Sequence, residues 1–139
     1  MYIADIMTDN VHKISPSDTL DDLKKIFDRV SYRHLLVEEN QKLVGVVSDR
    51  DVMKRTSPFL GTESEDQQDR QQQRLKVTEI MSKKMITVNP DTIIEFASIL
   101  LIENNISCLP VVNNDFGIEG IISWKDLLQF YVYGLHPKE

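Results

Sequence analysis

The chain repeats itself. Gly45-Val46-Val47-Ser48-Asp49-Arg50-Asp51-Val52 returns as Gly120-Ile121-Ile122-Ser123-Trp124-Lys125-Asp126-Leu127, and in both places an apolar run leads through Ser-x-x-Asp into a helix-like segment. Upstream, Ile6-Met7-Thr8 is echoed by Ile80-Met81-Ser82 and Ile14-Ser15-Pro16 by Val88-Asn89-Pro90. Further matches join Ser17-Asp18-Thr19-Leu20 to Asp91-Thr92-Ile93, and His34-Leu35-Leu36-Val37 to Cys108-Leu109-Pro110-Val111. Internal duplication decides architecture before any local propensity does. Residues 3–56 form one copy and 77–133 the other, with 57–76 between them.

Within the first copy, Leu20, Leu23, Ile26, Phe27 and Val30 fall on one helical face, and Ser17 or Asp18 is placed to cap the helix. Leu35 to Val37 and Leu43 to Val47 are short apolar runs around the polar turn 38–42, hence strands, and a second helix starts at Asp49. The order is extended segment, helix, strand, strand, helix. The second copy repeats it with a change: Ile93, Ile94, Phe96, Ala97, Ile99, Leu100, Leu101 and Ile102 leave its first helix almost no polar face. Such a helix needs cover on more than one side, from its own chain or from a second copy. Between the copies, Glu63 to Arg74 is Gln-rich and polar, which predicts an exposed connector, partly helical towards its end.

With 139 residues, 16 basic and 22 acidic, the chain carries a formal charge of −6. That balance does not recruit nucleic acid, and an anion must be held by a local arrangement. Cys108 is the only cysteine, so no intrachain disulfide forms. No basic stretch precedes an apolar run at the start, and Ile93 to Ile102 is too short to cross a bilayer, so a cytoplasmic protein with no membrane association is expected. His12, His34 and His136 have no metal-ligand spacing, no Gly-rich phosphate loop is present, and no nucleophile motif surrounds Ser48, Ser123 or Cys108. No catalysis and no catalytic cofactor are expected.

Ser-x-x-Asp at a strand-to-helix junction has two readings. It is a capping box. It also suits a ligand, because a carboxylate at the mouth of a strand accepts hydrogen bonds from ribose hydroxyls while amides of the following helix favour negative charge. Tyr131 and Tyr133 read as packing residues, Trp124 as cover for a sheet edge, a dimer contact or, alternatively, a platform for a base, and Met7 and Met81 as core filler or ligand wall.

The ordered set of Ile-Met, extended segment ending in Pro, helix, His/Cys-Leu-x-Val and Gly-apolar-apolar-Ser-x-x-Asp, present twice, resembles a tandem pair of cystathionine-β-synthase-type (CBS) domains, the Bateman module. The resemblance implies an α/β (α+β) fold of two pseudo-symmetric β-α-β-β-α repeats packed through their sheets. It also implies two clefts that bind AMP, ADP, ATP or S-adenosylmethionine, frequent homodimers, and regulation of an attached or associated protein. Carried onto this sequence, the first cleft takes Ser48 and Asp51 for the ribose with Val46 beside them, and Met81, Lys84, Ile86 and Ile106 as wall. Arg33, His34 and Arg50 supply charge for phosphate. The second takes Ser123, Asp126 and Ile121, with Met7, Thr8, Asn10, His12 and Tyr32 as wall and Lys125 as its cation. Ser107 and Cys108 stand there where the first has Arg33 and His34. The first is thereby the better equipped for a multiply charged ligand. Leu36 replaces the usual proline of the first copy's Leu-Pro-Val. An S-adenosylmethionine module and a ligand-free dimerisation or scaffold module are the alternatives.

Overall fold

A computed structural model describes residues 1–134; His136 lies outside the described residues. Residues 12–40 and 44–84 form one compact unit, here the Asp51 unit, and residues 1–11, 41–43 and 85–134 form a second, the Asp126 unit. The units cut across the sequence repeats. The first eleven residues group with the second repeat, and residues 77–84 group with the first.

In the Asp51 unit, β1 (Lys13–Ile14) runs parallel to β2 (His34–Glu39) with Lys13 opposite Leu36 and Ile14 opposite Val37, and β3 (Lys42–Ser48) lies on the other side of β2. The strands reach further into the expected turn than its polarity suggested. Only Asn40 and Gln41 remain between β2 and β3, both with positive φ (53° and 63°), the conformation that joins strands in two residues. Helix α1 (Leu20–Arg29) is capped by neither Ser17 nor Asp18 but by Thr19, whose hydroxyl accepts from Asp22 N while the Asp22 carboxylate accepts from Thr19 N. Asp18 instead closes a local turn by accepting from Ser15 N.

After α2 (Asp49–Arg55) the polar connector holds a short helix, α3 (Gln67–Gln72), started by an Asp66/Asp69 capping box and tied back through Ser57 Oγ to Asp69 at 2.5 Å. Its end is not loose. Leu75 and Gln73 carbonyls accept from Leu20 N and Asp21 N, satisfying first-turn amides of α1 that have no partner inside the helix, and Leu75 packs on the core. Helix α4 (Val77–Ile80) follows. Ile14, Leu20, Leu23, Leu35, Val37, Val47, Val52, Val77 and Ile80 form the core. Burying two residues from α4 here ties residues 77–84 to this unit by the hydrophobic effect.

The Asp126 unit repeats the order. Ile3 N and Ala4 N donate to Thr92 and Pro90 carbonyls, holding the chain start against the segment before α5 (Ile94–Asn104). Val88 bridges Val111 in parallel, as β1 meets β2 in the other unit. Helix α5 stops at Asn105, whose left-handed backbone (φ 52°) is a common helix terminator. Strand β4 (Cys108–Val112) pairs antiparallel with β5 (Ile118–Ser123), Cys108 opposite Ser123, and α6 (Trp124–Tyr133) follows. Ile3, Val88, Ile94, Ala97, Leu101, Leu109, Val111, Ile122 and Leu127 form this core.

Helix α5 is covered on one side only. Ile94, Ala97 and Leu101 are buried, whereas Phe96 and Ile99 are about half exposed and Ile102 is 79% exposed. On α6, Trp124, Leu128, Tyr131, Val132 and Tyr133 are exposed by half or more, so Tyr131 and Tyr133 are not core residues within this chain. Tyr131 OH meets Ser98 Oγ at 2.9 Å, linking the two helices. Among the described residues no helix is long and apolar enough to cross a membrane.

Candidate functional site

Each unit ends its last strand in the same construction. In the Asp51 unit, Ser48 leaves β3 with extended backbone and caps α2: Asp51 N donates to Ser48 Oγ (3.2 Å) and Ser48 N donates to Asp51 Oδ2 (2.8 Å). In the Asp126 unit, Asp126 N donates to Ser123 Oγ (3.2 Å), while Ser123 N and Oγ both donate to Asp126 Oδ2 (2.9 and 3.0 Å). The capping reading of Ser-x-x-Asp is therefore realised in both copies. It leaves the ligand reading open, because every bond that the two carboxylates accept here uses Oδ2. Oδ1 of Asp51 and of Asp126 accepts nothing among the described residues. Both carboxylates are half-buried and locked in orientation, with one oxygen unused.

A second feature is common to both units. Val46 exchanges two backbone hydrogen bonds with Ser82 (3.1 and 2.9 Å), and Ile121 exchanges two with Thr8 (2.9 and 2.9 Å). The approach is so close that the preceding β-strand residue has no room for a side chain. A Cβ on Gly45 would lie 2.4 Å from Met81 Sδ; one on Gly120 would lie 2.7 Å from the Thr8 carbonyl oxygen and 2.8 Å from Met7 Sδ. In the sequence both glycines mark the repeat but not this close approach, although each Ile-Met-Thr/Ser recurs in step with each Gly-x-x-Ser.

Arg33 and His34 are brought to the Asp51 box. Asp49 N, in the first turn of α2, donates to the Arg33 carbonyl at 3.0 Å, which fixes the entry of β2 beside the helix start. Arg33 is exposed and His34 half-buried. Burial pushes the His34 imidazole below its ordinary range; the Asp49 and Asp51 charges oppose this and Arg33 reinforces it. Arg50 and Lys84 are exposed; Arg50 N is held by the Asp49 carboxylate (2.8 Å), and the Lys84 carbonyl accepts from Ser82 Oγ (3.2 Å).

The equivalent contact in the Asp126 unit runs from Trp124 N to the Ser107 carbonyl (3.1 Å), so Ser107 and Cys108 occupy the places of Arg33 and His34. Cys108 is buried and its thiol is pushed up to about 12 by desolvation, so it stays protonated and uncharged at neutral pH. Lys125 is exposed on the first turn of α6, and Asn10 is exposed two residues beyond Thr8.

Four of the expected wall residues fall in the opposite unit from their carboxylate: Ile86 and Ile106 belong to the Asp126 unit, His12 and Tyr32 to the Asp51 unit. His12 Nδ1 lies 2.7 Å from Tyr32 OH, the rings meeting edge to face with centroids 6.1 Å apart. Among the described residues no group of three or more His, Cys, Asp or Glu side chains is placed to hold a metal ion.

Two successive α/β copies, each carrying a strand, a Ser-x-x-Asp cap and a bridged Met-containing segment, define a pseudo-symmetric repeat protein. The CBS domain family model matches residues 3–57 and 77–133, and the chain belongs to the CBS domain family. It is 30% identical over 125 residues to the CBS domain-containing protein YhcV of Bacillus subtilis, covering 90% of this chain and 81% of that one. Protein MJ1225 of Methanocaldococcus jannaschii superposes with a TM-score of 0.81 at 27% identity over 94% of this chain and 47% of that one. CBSX2, solved in complex with AMP, superposes at 0.79 with 28% identity over 94% and 96% of the two chains. The chain spans less than half the length of curated relatives such as MJ1225, of which it covers 46%.

Proposed function

We propose that the chain is a regulatory module that senses adenosine-containing ligands and signals to a separate protein, with residues 3–56 and 77–133 acting together and 57–76 as their connector. The observation that carries the reading is the unused Oδ1 of Asp51, oriented by the capping box at the end of β3 with Arg33 and His34 alongside. A ribose hydroxyl donates to that oxygen as a charge-assisted hydrogen bond. The phosphates take Arg33 and His34, with Arg50 and Lys84 adding positive charge. The AMP complex of CBSX2 supports this ligand class.

The Asp126 unit offers the same carboxylate beside uncharged Ser107 and Cys108, which favours a less anionic adenosyl ligand such as S-adenosylmethionine. Val46 and Met81 line the Asp51 site, as Ile121, Met7 and Thr8 line the other. The module itself catalyses nothing and works in the cytoplasm, without nucleic acid or membrane.

Calorimetric titration with AMP, ATP and S-adenosylmethionine tests the reading. Asp51→Asn keeps a capping oxygen but removes the charge, and is expected to weaken AMP by about ten- to hundredfold, corresponding to roughly 1.5–3 kcal/mol. Asp126→Asn is expected to change AMP affinity far less. Unchanged affinity in Asp51→Asn moves the site elsewhere.

The exposed apolar face of α5 and α6 supports a homodimer with a two-fold axis through it. Phe96, Ile99, Ile102, Leu128, Tyr131 and Val132 carry no charge, so the same patch on a second copy needs no charge matching. Exposed side chains of this number and size amount to several hundred Å², on the order of what each partner buries in a standard interface. Ile102→Glu is expected to yield monomer in analytical ultracentrifugation; an unchanged dimer mass places the interface on another face.

A further inference from the structure

We propose that phosphate binding at the Asp51 unit is coupled to uptake of one proton by His34, which makes nucleotide recognition there pH-dependent and leaves the Asp126 unit without that dependence. The inference rests on the nucleotide reading above. His34 is the first residue of β2, and the Asp49 N to Arg33 carbonyl bond fixes it next to the first turn of α2. The charges that act on it are Asp49 and Asp51 of α2 and Arg33 in the lead into β2. Beside β2, His12 precedes β1 with its carbonyl accepting from Leu36 N, and its ring is engaged with Tyr32 OH at 2.7 Å. Lys13 of β1 is engaged with Glu38 at 3.4 Å, and β3 ends in Ser48 without an ionisable side chain at that end.

Half-burial lowers the imidazole's affinity for a proton in spite of two carboxylates. A phosphate brings up to two negative charges. Placed against His34 it favours the cationic form and gains a charge-assisted hydrogen bond. The proton comes from solvent. Linkage then requires affinity to rise as pH falls through the interval between the free and bound imidazole pKa values, by up to about tenfold per pH unit for one fully coupled proton. In the Asp126 unit the corresponding residue is Cys108, a buried thiol pushed up to about 12, which already carries its proton. Proton uptake at this position therefore accompanies occupancy of the Asp51 unit, where the equivalent Cys108 of the other unit offers none.

The test is AMP titration of the full chain by calorimetry at pH 6.5 and pH 8, in buffers of different ionisation enthalpy, with wild type and His34→Gln. The free nucleotide's phosphate titration is common to both proteins, and the NMR titration below assigns any difference in the bound state to the imidazole. Wild type is expected to take up a larger fraction of a proton per AMP than the variant at pH 6.5, and its affinity advantage should shrink several-fold at pH 8. Independently of any variant, NMR titration of the imidazole protons should show one histidine with a depressed pKa that moves up when AMP is added. Equal proton numbers in wild type and variant, or an imidazole pKa that AMP leaves in place, overturn the coupling while binding persists. If no protein binds AMP, the nucleotide reading fails and this inference with it.

Discussion

Replacing Gly120 by alanine puts a methyl group 2.7 Å from the Thr8 carbonyl oxygen, where ordinary contact begins near 3.4 Å. That oxygen is one of the two acceptors in the Thr8–Ile121 bridge and cannot retreat by rotating a side chain. Either the clash is absorbed, at the roughly 1–3 kcal/mol typical of overpacking, or the bridge opens and forfeits two hydrogen bonds of about 1 kcal/mol each. Alanine also restricts the unfolded chain, which returns about 0.4–1 kcal/mol. The net expectation for Gly120→Ala is about 1–2 kcal/mol of destabilisation. Gly45→Ala meets Met81 Sδ at 2.4 Å and Cγ at 2.9 Å, atoms of a flexible side chain. After the same unfolded-state gain its cost should lie at about 0–1 kcal/mol. Urea titrations followed by circular dichroism read both values from the midpoint, provided the slope is unchanged. Met81→Ala should remove the Gly45→Ala penalty in a double-mutant cycle. If Gly120→Ala proves no more damaging than Gly45→Ala, the close approach of Thr8 is not what demands glycine there.

Ser123→Ala removes the acceptor for Asp126 N and should cost about 1 kcal/mol, read as a lower urea midpoint. Cys108 should resist iodoacetamide in the folded protein at pH 8 and react on unfolding, since its thiol is pushed up to about 12; rapid native-state alkylation would contradict its burial. The folded-state pKa of His34 lies below the unfolded 6.5, so between those values the unfolded chain binds more protons and stability rises with pH. Stability should therefore be flat for this group above about pH 6.5 and fall as pH drops below it. His34→Gln should flatten that part of a thermal-melting profile, and an unaltered profile would refute the assignment.

What the sequence made legible was local. Thr19 to Val30 announced a helix and Ser-x-x-Asp announced a cap, because both are set by neighbours within one turn. The cap of α1 was missed by one or two residues: Ser17, Asp18 and Thr19 are all good caps, and the choice fell to Thr19 through Asp22, three residues on. The polar connector was recognisable by composition, but not the pairing of Leu75 and Gln73 with the start of α1, which depends on residues more than fifty positions apart. Similarly, the apolar character of Ile93 to Ile102 was plain, yet which side stays open is decided by α5 packing through Ile94, Ala97 and Leu101. At the candidate site, the carboxylates could be named from the repeat, and the Arg33–His34 pair only through the family resemblance. The unused Oδ1, and the need for glycine opposite Met7 and Met81, are geometric and appear only with coordinates.

The grouping of Ile3 with the second copy's core, and of Val77 and Ile80 with the first copy's, has a consequence for how such a chain can be divided. Cutting at Gly61 would give two fragments, each holding a piece of apolar interior that the other fragment lacks. A duplicated gene of this pattern is no longer a string of separable beads. Its halves are obliged to stay in one polypeptide, or to find each other again if severed.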